Sequence, residues 1–109
     1  SATPIVVNDY VRMCRTYCIM LWTYWEALKI PSISLEELRL IRNCLVHHEG
    51  DIAKYSQDPK YGSGGTSLLA LTNGKSYVQG YSLVIADSDL VDFTTLVKTE
   101  FTTSTGVLF

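Results

Sequence analysis

A chain of 109 residues, 47% hydrophobic and 18% charged, is the size of one domain around one core, and here it is read as a single domain, 1–109. A formal net charge of -2 excludes bulk electrostatic attraction to nucleic acid or an anionic membrane, so a phosphate must be met by a local cluster of cations. Three cysteines, an odd number, fit a reducing compartment better than a disulfide framework, and the expected location is the cytoplasm.

Helical spacing runs over residues 8–28, with Asn8 or Asp9 as N-cap and Pro31 just past the end. Within it the nearly uncharged stretch 16–25 is too short for a bilayer core of about 30 Å, so no transmembrane helix is expected. Wound at about 100° per residue, Arg12, Arg15, Thr16, Thr23 and Glu26 share one narrow side. Tyr10, Met13, Cys14, Tyr17, Met20, Leu21, Trp22, Tyr24, Trp25 and Leu28 cover most of the remaining circumference. So wide an apolar arc needs burial from at least two sides, which predicts a second subunit over part of it.

Ser34 is the expected N-cap of a second helix, with Glu37 three residues on completing a capping box. Leu35, Leu38, Ile41 and Leu45 then recur on one stripe, and Gly50 suits the left-handed position after the helix end. Residues 51–66 turn polar and glycine-rich and predict a mobile loop. The text SLLALT, the turn dipeptide Asn73-Gly74, KSYV and the apolar run 81–86 predict two or three short strands. Asp87 or Ser88 caps a last helix with Leu90, Val91, Phe93, Leu96, Val97 and Phe101 as its apolar face, ahead of a Thr/Ser-rich tail expected to fray. The predicted fold is mainly α: a small helical bundle with a short β-hairpin element between the second and last helices.

The stretch RNCLVHHEG, residues 42–50, carries the chemistry. With Leu35 at zero on the wheel, Arg42 falls near 340°, inside the apolar stripe, where a guanidinium needs an acceptor, a phosphate or a water-lined cleft. Asn43 and His47 fall near 80° and 120° and share a face, but Arg42 and His47 are about 140° apart. Gripping one small group therefore needs a distorted last turn or two copies of the helix meeting at a dyad. Plainer roles exist for each: Arg42 can snorkel to a glutamate, His47 and His48 can face the negative end of the helix dipole, and Asn43 can be an exposed helical residue.

These residues resemble the signature of the HEPN family (higher eukaryote and prokaryote nucleotide-binding domains), an arginine followed by a polar residue and, four to six residues on, a histidine. Arg42, Asn43 and His47 match it, and His48-Glu49-Gly50 resembles the helix-ending text of such proteins. The resemblance implies a helical bundle that forms a homodimer, with paired motifs making a metal-independent, cofactor-free RNA-cleaving site. Many members are toxins of toxin-antitoxin or phage-defence (abortive infection) systems, which implies an RNA substrate and an antitoxin protein as partners. The family generally has four or more helices whereas the pattern here gives three, which leaves room for the chain to be a fragment of a longer protein.

The chemistry such a site needs is modest: a 2′-hydroxyl attacks the adjacent phosphate once its proton is removed, the phosphorane charge is stabilised and the 5′-oxygen is protonated. His47 is the candidate general base or acid, Arg42 the phosphate clamp, and Asn43 the group orienting His47 or a phosphate oxygen. Lys54, Tyr55, Lys60 and Tyr61 are candidates for backbone contacts and base stacking. The alternative is a non-catalytic HEPN-like module for dimerisation or protein interaction, and a third possibility is a helical dimerisation domain unrelated to that family. A Cys3His zinc site from Cys14, Cys18, Cys44 and His47 is conceivable by spacing, but cysteines in so apolar a run are ordinarily buried thiols. Gly62 to Gly65 lacks the Lys-Ser/Thr of a phosphate loop.

Overall fold

The first helix is dictated by its length of apolar text, and in the computed structural model, which describes residues 4–108 and side chains from residue 9 onward, α1 spans Pro4–Ala27. Asn8 and Asp9, the expected caps, therefore lie inside it, and a proline, whose fixed φ suits a first turn, opens it. It ends where Lys29 turns left-handed at φ 58°, two residues ahead of Pro31. Cys14, Cys18, Trp22 and Trp25 form its buried stripe.

Helix α2 (Glu36–His47) buries Leu38, Leu40, Ile41, Cys44 and Leu45. The capping box expected from Ser34 and Glu37 does not form: Leu35 holds the cap position without a side-chain bond, and the Glu37 carboxylate accepts instead from the Tyr77 hydroxyl. Burial raises the Tyr77 pKa, and the bond to Glu37 adds to it, so the phenol stays a donor. Glu36 and Glu37 still favour the positive end of the helix dipole. At the far end Glu49 (φ 57°) and Gly50 (φ 76°) both turn left-handed, and Gly50 N–H donates to the Cys44 carbonyl at 3.1 Å.

Residues 51–66 are ordered rather than a mobile loop. The Asp51 carboxylate accepts from Lys54 N–H at 3.2 Å and starts the short α3 (Ile52–Ser56), and α4 (Gly62–Leu71) follows. The glycines that suggested a loop are where α4 crosses α3. A Cβ on Gly65 would stand 2.2 Å from the Ser56 nitrogen, and one on Gly64 2.3 Å from the Tyr55 hydroxyl oxygen. Glycine inside a helix costs about 1 kcal/mol against alanine, and direct backbone contact between two helices offsets that cost. The expected strand SLLALT is likewise helix up to Leu71: its buried positions are Leu68 and the cap residue Thr72, four apart and in step with Gly65 three residues before Leu68.

The hairpin comes later and is shorter than expected. Strands β1 (Val78–Gln79) and β2 (Ser82–Leu83) pair antiparallel around Gly80 (φ 64°) and Tyr81, whereas Asn73-Gly74 only ends α4. The hairpin clamps the turn after α2, because Leu83 N–H donates to the Gly50 carbonyl at 2.9 Å and Ile52 N–H to the Tyr81 carbonyl at 2.8 Å. Helix α5 (Asp87–Thr105) starts with Ala86 at the cap, its N–H donating to Asp89 at 2.8 Å, so Asp87 and Ser88 lie in the first turn. Phe93 is buried, while Val91, expected on the inner face, is 64% exposed. The tail does not fray at its threonines: Thr99 and Thr105 hydroxyls bond carbonyls one turn back, and Gly106 (φ 75°) closes the helix.

The described residues thus form a mainly helical domain of five helices with a two-stranded antiparallel hairpin before the C-terminal helix. Helix α2 sits at its centre, between α1 on one side and α3 and α4 on the other. No helix among the described residues is long and apolar enough to cross a membrane. Gly65→Ala is expected to destabilise the fold by about 1–3 kcal/mol in urea denaturation, because the obstacle is backbone and not a movable side chain, whereas exposed Ser63→Ala, two residues earlier in α4, stays near wild type.

Candidate active site

An open cleft of about 570 Å³ lies between the outer face of α2 and the segment joining α3 to α4. From α2 it receives Arg39, Asn43 and His47, which stand four residues apart and therefore on one helix face. His48, Tyr55, Asp58, Lys60 and Tyr61 complete its polar and aromatic wall.

Of the residues expected from the sequence, Asn43 and His47 line the cleft and Arg42 does not. Arg42 reaches it through its neighbour: Nη1 donates to Asn43 Oδ1 at 2.9 Å and so fixes that amide. The Arg42 Nε is buried and has no hydrogen-bond partner among the described residues, a state that for a charged group favours an added acceptor. The guanidinium that does line the cleft belongs to Arg39. Its Nε donates to Glu36 Oε2 at 2.8 Å, and its Nη2 pairs with the other carboxylate oxygen. That bond raises the Arg39 pKa and lowers that of Glu36, so both stay ionised.

The two imidazoles are placed differently. His47 is exposed at the cleft, with its ring centroid 6.5 Å from that of His48 and the planes at 72°. His48, half-buried at the end of α2, is stacked on Tyr55 (4.6 Å, 13°), and its Nε2 lies 3.7 Å from Asp58 Oδ2. Asp58 is itself anchored, because its Oδ1 accepts from the backbone N–H groups of Tyr61 and Lys60 at 2.8 Å each. Those two bonds, ahead of the attraction of the histidines, hold its carboxyl below the usual value of 3.8. Lys60 in turn lies 5.2 Å from the Tyr61 ring centroid, putting a cation and an exposed aromatic face at the rim.

Arg39, Asp58 and the second histidine were not singled out in the sequence as site residues. A wheel would have given Arg39, since it leads the stripe on which Asn43 and His47 lie. Asp58 has no local signal, because its place depends on the α3–α4 crossing. Lys54 lies outside the cleft and reaches Glu49 at 3.4 Å. Cys14, Cys18 and Cys44 are buried free thiols, and burial pushes the pKa of Cys18 and of Cys44 up to about 12. Among the described residues, no three His, Cys, Asp or Glu side chains are grouped to hold a metal ion.

Comparison of the chain with protein-family models, with curated proteins and with solved structures gives no match.

Asp58 provides a test of this architecture. A carboxyl held below its unfolded pKa of about 3.9 contributes stability that is complete above that pH and is lost as pH falls through the depressed value. Asp58→Asn is expected to lower the thermal midpoint at neutral pH, with the gap to wild type closing below about pH 3.9. A gap that stayed undiminished in acid would remove the ionised carboxylate as the cause.

Proposed function

We propose that the cleft is the RNA-cleaving site of a metal-independent endoribonuclease of HEPN type. The observation that carries this is the pair of imidazoles 6.5 Å apart, facing an open cleft that also holds a guanidinium and an exposed tyrosine. One histidine takes the proton of the attacking 2′-hydroxyl as the oxygen bonds to phosphorus, and the other gives a proton to the departing 5′-oxygen as its bond to phosphorus breaks. His47, the exposed ring, is the general base or acid, and His48, steadied by Tyr55 and Asp58, takes the opposite role.

The non-bridging phosphate oxygens gain charge in this step and call for cationic donors. Arg39 and Lys60 lie in the cleft to supply them, and Asn43, held by Arg42, adds an amide N–H. Tyr61 at the rim offers a stacking face for an unpaired base, which favours single-stranded or looped RNA. Arg42, the phosphate clamp that the resemblance implies, is in this geometry a positioning residue for Asn43. A protomer holding both imidazoles has the groups for proton transfer without a second motif.

The purified chain is expected to cut RNA in EDTA and to leave cyclic-phosphate or 3′-phosphate ends. His47→Ala should lower the rate by about 10²-fold or more, and Arg42→Ala by less, with the fold retained in both by circular dichroism. Cleavage at wild-type rate in both variants would dismiss the proposal, and a folded wild-type chain without cleavage would favour the non-catalytic module.

A further inference from the structure

The dipeptide Asn73-Gly74, which does not serve as the hairpin turn, lies exposed just past the end of α4 with its reactive groups unengaged. Lys75 N–H donates to the Thr72 carbonyl at 3.0 Å, so residues 72–75 form a β-turn. Gly74 stands at φ 80° while Asn73 keeps a negative φ, the combination of a type II turn, whose third position calls for glycine. A Cβ built on Gly74 would meet nothing within 4 Å. Neither the Gly74 N–H nor the Asn73 side-chain amide has a hydrogen-bond partner among the described residues.

We propose that Asn73 is a site of spontaneous self-modification, at which the side-chain amide is exchanged for a carboxylate through a ring closed by Gly74. The Gly74 nitrogen, on giving its proton to solvent base, attacks Asn73 Cγ and closes a five-membered succinimide as the Cγ–Nδ2 bond breaks and ammonia leaves. Water then opens the ring at one of its two carbonyls. Attack at the side-chain carbonyl leaves an aspartyl residue in an unaltered backbone, and attack at the main-chain carbonyl leaves an isoaspartyl residue with the chain rerouted through Cβ. Water is the one co-reactant, and no electrons are exchanged.

The turn is suited to this step. Nucleophile and electrophile belong to neighbouring residues, so the attack is intramolecular. Glycine has no side chain to shield its nitrogen, and its peptide can swing about the Asn73 Cα–C bond into open space at the loss of one turn hydrogen bond. Asn43 is the internal contrast: it lies inside α2, its Oδ1 accepts from Arg42 Nη1 at 2.9 Å, and the next residue, Cys44, is buried with its N–H in the helical ladder. The product bears on α4, because a new carboxylate just beyond the last turn stands at the negative end of the helix dipole. The isoaspartyl form also lengthens the chain between Thr72 and Tyr77, both buried. This inference does not rest on the nuclease proposal, since the turn shares no residue with the cleft.

Peptide mapping of the purified full chain, after incubation for days at physiological temperature and pH, tests it. Trypsin releases residues 61–75, whose one side-chain amide is Asn73, and residues 43–54, whose one side-chain amide is Asn43. The first peptide is expected to gain the mass of water less that of ammonia, and to become a substrate for isoaspartyl methyltransferase, at least about tenfold faster than the second. Gly74→Ala should slow the gain and Asn73→Gln should abolish it, both being exposed changes that keep the fold by circular dichroism. The modified fraction, separated by anion exchange, should melt below the unmodified one. A peptide 61–75 that keeps its amide, equal rates in the two peptides, or an undiminished gain in Gly74→Ala would overturn the inference, and an unchanged melting midpoint would overturn the effect on α4.

Discussion

Two backbones touch at Gly65, and the polar side of the molecule is built outward from that contact. Because α4 lies directly on the end of α3, the chain between them must fold back tightly, and Asp58 becomes the hub of that return by accepting the N–H groups of Lys60 and Tyr61. Tyr55 is fixed by the same crossing, with its backbone against Gly65 and its hydroxyl against Gly64. Its ring is then a rigid platform for His48. The imidazole nearest the end of α2 thus owes its orientation to glycines more than a dozen residues further along the chain.

The electrostatics follow from this arrangement rather than from composition. A chain with net charge -2 has no general attraction for a polyanion, yet Arg39, Lys60 and both histidines gather along one cleft. Glu36 and Asp58 temper them, and each carboxylate orients a cationic or basic partner instead of merely cancelling it. Helix α2 supports this with opposite faces: Ile41, Cys44 and Leu45 are sealed in the core while Asn43 and His47 reach the cleft. The hairpin bonded to Gly50 and Ile52 keeps the turn after α2 from opening away from it.

How much of this was legible depended on whether a signal was local. The helices α1, α2 and α5 follow from periodic apolar text, and the bend at Gly50 from the left-handed preference of glycine. The α3–α4 region was misread because glycines normally speak for flexibility, and here they speak for closeness, a property of two segments at once. SLLALT was misread because six apolar-rich residues fit a strand as well as a helix, and only the partner decides. The capping box at Ser34 failed for a similar reason: Glu37 accepts from Tyr77, forty residues further along the chain, instead of turning back to the helix start. In the cleft, Asn43 and His47 came from local spacing, while Asp58 depended on tertiary structure. The place of Arg42 behind Asn43 agrees with the 140° that a helical wheel puts between it and His47.

The three sequestered thiols turn the molecule into its own timer. Cys14 and Cys18 on α1 and Cys44 on α2 sit where those two helices meet the core, and the thiolate form of Cys18 and Cys44 is scarce at neutral pH because their pKa is pushed up to about 12. An alkylating reagent must therefore wait for α1 to lift from α2. Its rate of uptake follows the fraction of time spent open while reclosing outpaces alkylation, and so gives a local measure of how well the central helix keeps its cover.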